Sequence, residues 1–153
     1  MKDEKNIDVL VVCSVGGHLT QLLALSGAYT HLNYHFVVND RCDLTEIMIG
    51  NTSVITHADR NLKQINNWHE AYSILKKLRP TVILSNGASP GVVFGFLGKY
   101  LFGCKYIFIE SYSRVKTPSL SAKLSYLFAD DFYIQWPGLK KNFKNAKFKG
   151  QAL

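Results

Sequence analysis

The sequence predicts an α/β domain built on a doubly wound, mostly parallel sheet, and two observations carry that expectation. Short runs rich in valine, isoleucine and aromatic residues recur along the chain, and between most of them lie segments whose apolar residues fall at helical spacing. Strand and helix therefore alternate, which requires parallel strands, right-handed crossovers and helices on both faces of a Rossmann-like sheet.

The elements follow in order. Ile7 to Cys13 is a first strand that leads into a helix marked by Leu19, Leu22, Leu23 and Tyr29. Tyr34 to Val38 is the second strand, followed by helical spacing at Leu44, Ile47 and Met48, and Ser53 to Thr56 is the third. A longer helix is marked by Ile65, Trp68, Tyr72, Leu75 and Leu78, and Pro80 separates it from the fourth strand, Val82 to Ser85. Pro90 opens a helix through Val93, Phe96, Leu97, Tyr100 and Leu101, and the fifth strand is Tyr106 to Ile109. Pro118 introduces a last helix with Leu120, Leu124, Leu127 and Phe128, and Phe132 to Ile134 is a sixth strand. In such sheets the first strand lies near the centre, and ligands sit beyond the carboxyl ends of the strands, where the strand order reverses.

At 153 residues, 47% of them apolar and 19% charged, the chain is a folded unit with room for one core. We divide it into one domain over residues 1–139 and a basic carboxyl-terminal tail over 140–153. The formal charge of +7 favours anionic company: nucleic acid, an acidic membrane surface or phosphorylated small molecules. In the tail Lys140, Lys141, Lys144, Lys147 and Lys149 are interleaved with Phe143 and Phe148, which suits either an anionic lipid surface or a solvated, frayed terminus. Helix-turn-helix, RNP and zinc signatures are missing, so nucleic acid is not expected as a partner. Cys13, Cys42 and Cys104 are scattered and odd in number, which fits a reducing cytoplasm and neither a disulfide framework nor a CxxC site. The first residues lack the apolar length and cleavage context of a signal peptide. The longest apolar stretch, Val92 to Phe102, is interrupted by Gly95, Gly98 and Lys99, so membrane contact is expected to be peripheral.

The loops after the strands carry the unusual residues. Ser14, Val15, Gly16, Gly17 and His18 follow the first strand and run straight into a helix. Adjacent glycines let a ligand approach the backbone, and unpaired amides at a helix start favour an anionic group such as a diphosphate. His18 beside such an anion is a candidate general base on a hydroxyl, or a cation once protonated; the plainer reading is a tight turn with a capping serine. The full GxGxxG pattern is absent, which lowers the rank of NAD, and no cofactor is expected. After the fourth strand, Asn86, Gly87, Ala88 and Ser89 before Pro90 repeat the design, as a second anion-receptive loop or an ordinary connection. The fifth strand delivers Glu110, Ser111, Tyr112, Ser113 and Arg114: a carboxylate for proton transfer or hydroxyl binding and a guanidinium for phosphate, or simply an ion pair. After the sixth come Gln135, Trp136 and Pro137, a docking edge for a partner or an ordinary packed tryptophan. His31, His35, His57 and His69 lack metal-site spacing, no DxD-type carboxylate cluster is present, and no metal ligand is assigned. Arg60 and Asn61, after the third strand, are weaker candidates for lining a cleft.

SVGGH after the first strand, SNGASP after the fourth, IESYSR after the fifth and FADDFYIQWPGL at the sixth together resemble one family in order and spacing. It is that of the PssD-like and CpsF-like capsule and exopolysaccharide proteins, which includes the membrane-recruiting subunit of the eukaryotic dolichol-linked N-acetylglucosaminyltransferase. The resemblance covers nearly the whole chain. It implies the amino-terminal half of a GT-B glycosyltransferase, similar to the MurG type, with the half that binds the UDP-sugar donor supplied by a separate protein. By the same resemblance Gly16, Gly17 and His18 face the diphosphate of a lipid-linked acceptor, and His18 or Glu110 is the catalytic base. Asn86 to Ser89, with Ser113 and Arg114, then support the acceptor or the donor's phosphates. The eukaryotic relatives begin with a membrane-anchoring helix that this sequence lacks. The place implied is the inner face of the cytoplasmic membrane, held by the segment Gly91 to Phe102 and the lysine tail.

Chemistry points to the same incompleteness: donor, acceptor hydroxyl and base must be aligned within near-attack distance, and one open α/β layer is only one wall of a cleft. The expected function is therefore one subunit of a two-component inverting glycosyltransferase acting from a UDP-sugar on an undecaprenyl-diphosphate-linked glycan. The alternatives are a non-catalytic protein that recruits and activates the donor-binding subunit, and a free-standing nucleotide-binding domain.

Overall fold

The chain is described by a computed structural model over residues 6–39, 48–56 and 64–152. β1 (Val9–Cys13) is buried at every position, as its unbroken apolar run requires, because a central parallel strand is covered on both faces. It pairs in parallel with β2 (Tyr34–Val38) on one side and with β4 (Val82–Ser85) on the other. β3 (Thr52–Val54) lies outside β2. Beyond β4 come β5 (Lys105–Ile109), β6 (Asp131–Ile134) and β7 (Lys147–Phe148), each parallel to its neighbour. Among the described residues the order is thus β3-β2-β1-β4-β5-β6-β7, and it reverses between β1 and β4. The doubly wound parallel sheet expected from the alternation is the one found, with the first strand inside it.

Among the described residues four α-helices connect the strands: α1 (Gly17–Ala24), α2 (Gln64–Leu78), α3 (Ala88–Phe102) and α4 (Leu120–Ser125). Alternate side chains of β1 point to opposite faces, and each face has its own core. Leu10 and Val12 pack with Ala71 and Leu75 of α2 and with Phe94 and Leu97 of α3. Val9, Val11 and Cys13 pack with Leu19 and Leu22 of α1 and with Tyr29. The helical spacing at Leu44 and Ile47 lies outside the described residues, as do His57, Arg60 and Asn61; Met48 is buried in the second core.

α3 packs its backbone directly against side chains of the sheet, and its glycines are the reason. A methyl group at Gly91 would stand 2.0 Å from Ser85 Oγ, at Gly95 2.4 Å from the Tyr106 ring, and at Gly98 2.1 Å from Ile83 Cδ1. Spaced four and three residues apart, they share one face of the helix, which therefore presents backbone to the strands. The glycines that break the longest apolar stretch of the sequence are thus the surface by which this helix packs. Among the described residues no helix is long and apolar enough to cross a membrane.

The carboxyl-terminal segment departs from the expected tail. Pro137–Lys141 forms a 3₁₀ turn that buries Leu139, and Phe143 and Ala146 are buried against the α2–α4 side of the core before β7 pairs with β6. Phe143 sits 4.8 Å from the Phe132 ring and 4.9 Å from Tyr126. The lysines between them are exposed, so a segment that reads as basic in sequence is anchored by its few apolar residues.

Candidate functional site

β1 and β4 are adjacent, so the loops that leave them stand side by side where the strand order reverses. Gly16, the residue before α1, has φ 90° and ψ −141°, and Gly87, before α3, has φ 122° and ψ −155°, a region open only to glycine. Ala88 follows at φ 61°, a left-handed conformation that costs an alanine about 1–2 kcal/mol. Neither helix start receives a side-chain cap, so the first amides of both are left without an intrahelical partner at this end of the sheet. Ser14, before α1, and Ser89, in the first turn of α3, are half-buried. The first loop is steadied from outside by Asn39, whose Oδ1 accepts from the Val15 amide at 3.3 Å.

His18 joins the two loops. Asn86 Nδ2 donates to the His18 carbonyl at 2.7 Å, and a methyl on Gly87 would meet His18 Cε1 at 3.2 Å, so the imidazole packs tightly against the Gly87 backbone. His18 Nδ1 and Asn86 Oδ1 are both buried without a well-formed hydrogen bond. Burial lowers the pKa of His18 below its ordinary value of 6.5, against the opposing pull of Asn86 and the charge of Glu110; the positive charge of Arg114 reinforces the lowering. A neutral imidazole beside two open helix starts can accept a proton.

The loop after β5 is built around Glu110, and the carboxylate is not the open, cleft-facing group expected. It is 1% exposed, and its oxygens accept from the Ser111 amide at 2.8 Å, the Ser119 amide at 2.9 Å and the Ser119 hydroxyl at 3.0 Å. Ser119 in turn caps α4, accepting from the Ala122 amide at 3.0 Å. Glu110 therefore closes the segment 111–119 into a loop and ties it to α4. Ser113 and Arg114 are exposed on that loop, Ser113 Oγ lying 3.0 Å from Ser111 Oγ. Arg114 makes no ion pair with Glu110.

A buried amide network holds this loop against the first. Gln21 of α1 accepts from the Tyr112 amide at 3.1 Å and from Gln135 Nε2 at 3.2 Å, and its own Nε2 is 3.4 Å from Ser111 Oγ. Gln135 also donates to the Glu110 carbonyl at 2.9 Å and accepts from the Ala152 amide at 2.8 Å. At 2% exposure Gln135 belongs to the interior, contrary to its expected place on a partner-facing edge. Trp136 is half-buried, its indole donating to the Tyr112 carbonyl at 2.6 Å with the rings 5.2 Å apart, and Pro137 is exposed beside it. Next to these residues Ile109, Tyr133 and the chain from Lys149 to Ala152 line a groove of about 230 Å³. Gln21, Asn39 and Ser119 are the members of the site that the sequence reading passed over. The only signal for Gln21 was a polar residue three positions after His18 on an otherwise apolar helix face.

Residues 52–152, more than half of the chain, match the family described as oligosaccharide biosynthesis protein Alg14 like. The chain belongs to this family. A rat protein named UDP-N-acetylglucosamine transferase subunit ALG14 is 25% identical over 97% of this chain and 84% of its own length. The Schizosaccharomyces pombe protein of the same name is 41% identical over 46% of this chain and 36% of its own. Among solved structures, the UDP-GlcNAc 2-epimerase of Methanocaldococcus jannaschii superposes with a TM-score of 0.67 at 12% identity, over 90% of this chain. The chain spans 42% of that enzyme's length, and the likeness is one of fold.

Proposed function

We propose that this protein is the acceptor-side subunit of a two-part UDP-sugar glycosyltransferase, and that it recruits and completes a separate donor-binding subunit. The observation that carries the reading is the pair of uncapped helix starts at the reversal of strand order, with His18 packed between them. Such a site suits a diphosphate group. The names of the relatives, which are subunits of a transferase, favour the partner role over the reading in which this chain is the enzyme by itself. By the same names UDP-N-acetylglucosamine is the first donor to test. From the motif resemblance, the acceptor class is a lipid-diphosphate-linked glycan such as the undecaprenyl-linked intermediates of capsule or exopolysaccharide synthesis. The place of work is then the inner face of the cytoplasmic membrane. Ser14, Gly16, Gly17 and the loop Asn86 to Ser89 hold the diphosphate, and Ser113 and Arg114 stand at its rim. Trp136 and Pro137, with the adjoining groove, face the partner.

His18 supports a second, compatible reading in which the subunit contributes to chemistry. Nδ1 is buried, so in this reading Nε2 is the ring nitrogen that must meet the ligand. A neutral His18 accepts the proton of the acceptor hydroxyl as its oxygen attacks the anomeric carbon, and UDP leaves with the bonding pair. Glu110 acts on this step only by holding the loop 111–119.

Reconstitution tests both readings. The chain, its donor-binding partner, labelled UDP-N-acetylglucosamine and a lipid-diphosphate acceptor are combined, and transfer is compared with the partner alone. An unchanged rate refutes the subunit role. If His18→Ala still forms the complex but abolishes transfer, the second reading stands; if both survive, the chain is a recruiting partner only.

A further inference from the structure

The packing of α3 leaves an apolar surface on the far side of the helix layer. Gly91, Gly95 and Gly98 face the sheet together with the buried Phe94 and Leu97, and on the other side of the helix Phe96 and Tyr100 are exposed, Tyr100 by 58%, with Leu101 beside them. On α2, which packs against α3, Ala71, Leu75 and Leu78 are buried while Trp68 and Tyr72 are exposed. On the other flank of α3, Leu120 of α4 is 72% exposed, with Leu124 and Leu127 following at helical spacing, the latter 79% exposed.

These residues form one continuous surface. The Trp68 and Phe96 rings are 5.9 Å apart, Phe96 and Tyr100 4.9 Å, and Phe96 and Phe128 5.7 Å, so the aromatic contacts run from α2 across α3 to the turn after α4. With typical side-chain areas of about 200 Å², the exposed fractions amount to roughly 800 Å², above the 300–600 Å² of the largest patch on an ordinary monomer.

Charge identifies what covers it. Lys76 and Lys77 end α2 and Lys123 lies on α4, none with an ion-pair partner. The turn bearing Lys144 is held to α4 by the bond from the Asn145 amide to Tyr126 Oη at 3.0 Å. Lys99 and Asp130, between the helices, neutralise one another at 2.6 Å. Tryptophan and tyrosine among aliphatic residues, edged by free lysines on a chain of +7, match the headgroup region of an anionic bilayer. A neutral protein surface would leave those lysines without a counterpart.

We propose that the outer face of α2, α3 and α4 is a reversible docking surface for an anionic lipid bilayer. Its Leu120 end follows Ser119, the cap of α4 that also binds Glu110 beneath the loop 111–119. The proposal deepens the lipid-acceptor reading by giving the lipid chain a side from which to reach the cleft, and the surface stands on its own observations whichever sugar is transferred.

Vesicle flotation with the purified chain tests it, without sugar transfer as a readout. Wild type is expected to float with phosphatidylglycerol-rich vesicles, less with phosphatidylcholine alone, and less at high salt. The variant Tyr100→Gln/Leu120→Gln/Leu124→Gln/Leu127→Gln changes only exposed positions and is expected to partition about tenfold more weakly or worse. Replacement of Lys76, Lys77 and Lys123 by glutamine keeps the apolar face and is expected to remove the preference for anionic lipid. Absence of wild-type flotation overturns the proposal, as does undiminished flotation of a folded apolar-face variant. So does a wild-type dimer that this variant converts to monomer while vesicle binding is unchanged, which makes the face a protein interface. Failure of the reconstituted transfer with flotation intact would count against the enzyme reading alone.

Discussion

His18 Nδ1 is enclosed by the second glycine loop, and protonating the ring there means placing a charge where burial disfavours it. The unfolded chain takes up that proton near pH 6.5, whereas the folded chain does so only at lower pH. Between the two pKa values the unfolded state binds more protons, so stability is whole above pH 6.5 and declines as pH falls toward the folded value. Imidazole titration by NMR should give a midpoint below 6.5 for His18 and should return toward it when Asn86 and Gly87 are unfolded. If His18 is the base, the acid limb of transfer follows the same midpoint, and His18→Ala lowers the rate about 10²- to 10⁴-fold. Glu110 calls for a different outcome. Three donors converge on its carboxylate, so Glu110→Gln turns an NH₂ toward them and should cost about 1–3 kcal/mol of stability, read by urea unfolding. Amide exchange across 111–119 should speed up. A variant of unchanged stability and protected loop would show that the carboxylate does not hold the segment.

Among the elements, α3 offers the sharpest contrast. Gly95→Ala puts a methyl 2.4 Å from the buried Tyr106 ring and should destabilise by about 1–3 kcal/mol through overpacking. Gly103→Ala meets open space, but the residue ends the helix at φ 69°, and the expected cost of about 1–2 kcal/mol is conformational. Substituting Asn at both sites separates them: it tolerates the left-handed cap and worsens the clash. The same helix shows what sequence periodicity carries. Its apolar residues announced a helix, yet direction was hidden, because small residues signal a packing face only once the Tyr106 ring is known to lie opposite. Strands with continuous apolar runs, such as β1, were legible for the same reason that they are central. β7 was not, since two residues in a lysine-rich stretch have no periodicity, and pairing with β6 alone places them. The glycine loops were legible because positive φ selects glycine. The Gln21 to Gln135 bond spans 114 residues, a separation at which local pattern holds no information.

For the molecule as a whole, the decisive matter is where the fold ends. Composition sets the boundary at residue 139, because five lysines in the last fourteen residues look like solvated chain. The packing carries the core further: Phe143 fills the corner between Tyr126 and Phe132, and the Ala152 amide reaches the buried Gln135 that also holds Gln21 and the Glu110 carbonyl. The last residues are thus hydrogen-bonded into the amide network that fixes the loops of the candidate site. Phe143→Ala should remove a buried aromatic side chain at a cost of about 3–5 kcal/mol, lowering Tm by about 10 °C. Lys141→Ala, an exposed neighbour, should stay within about 0.5 kcal/mol. A chain ending at Leu139 should lose both the Phe143 contacts and the Gln135 tether, so amide exchange at Tyr112 and Ser111 should accelerate along with global unfolding. Equal thermal melts for the truncated and full chains would restore the reading of residues 140–153 as a tail; a large drop confined to Phe143→Ala and the truncation would make them part of the domain that builds the site.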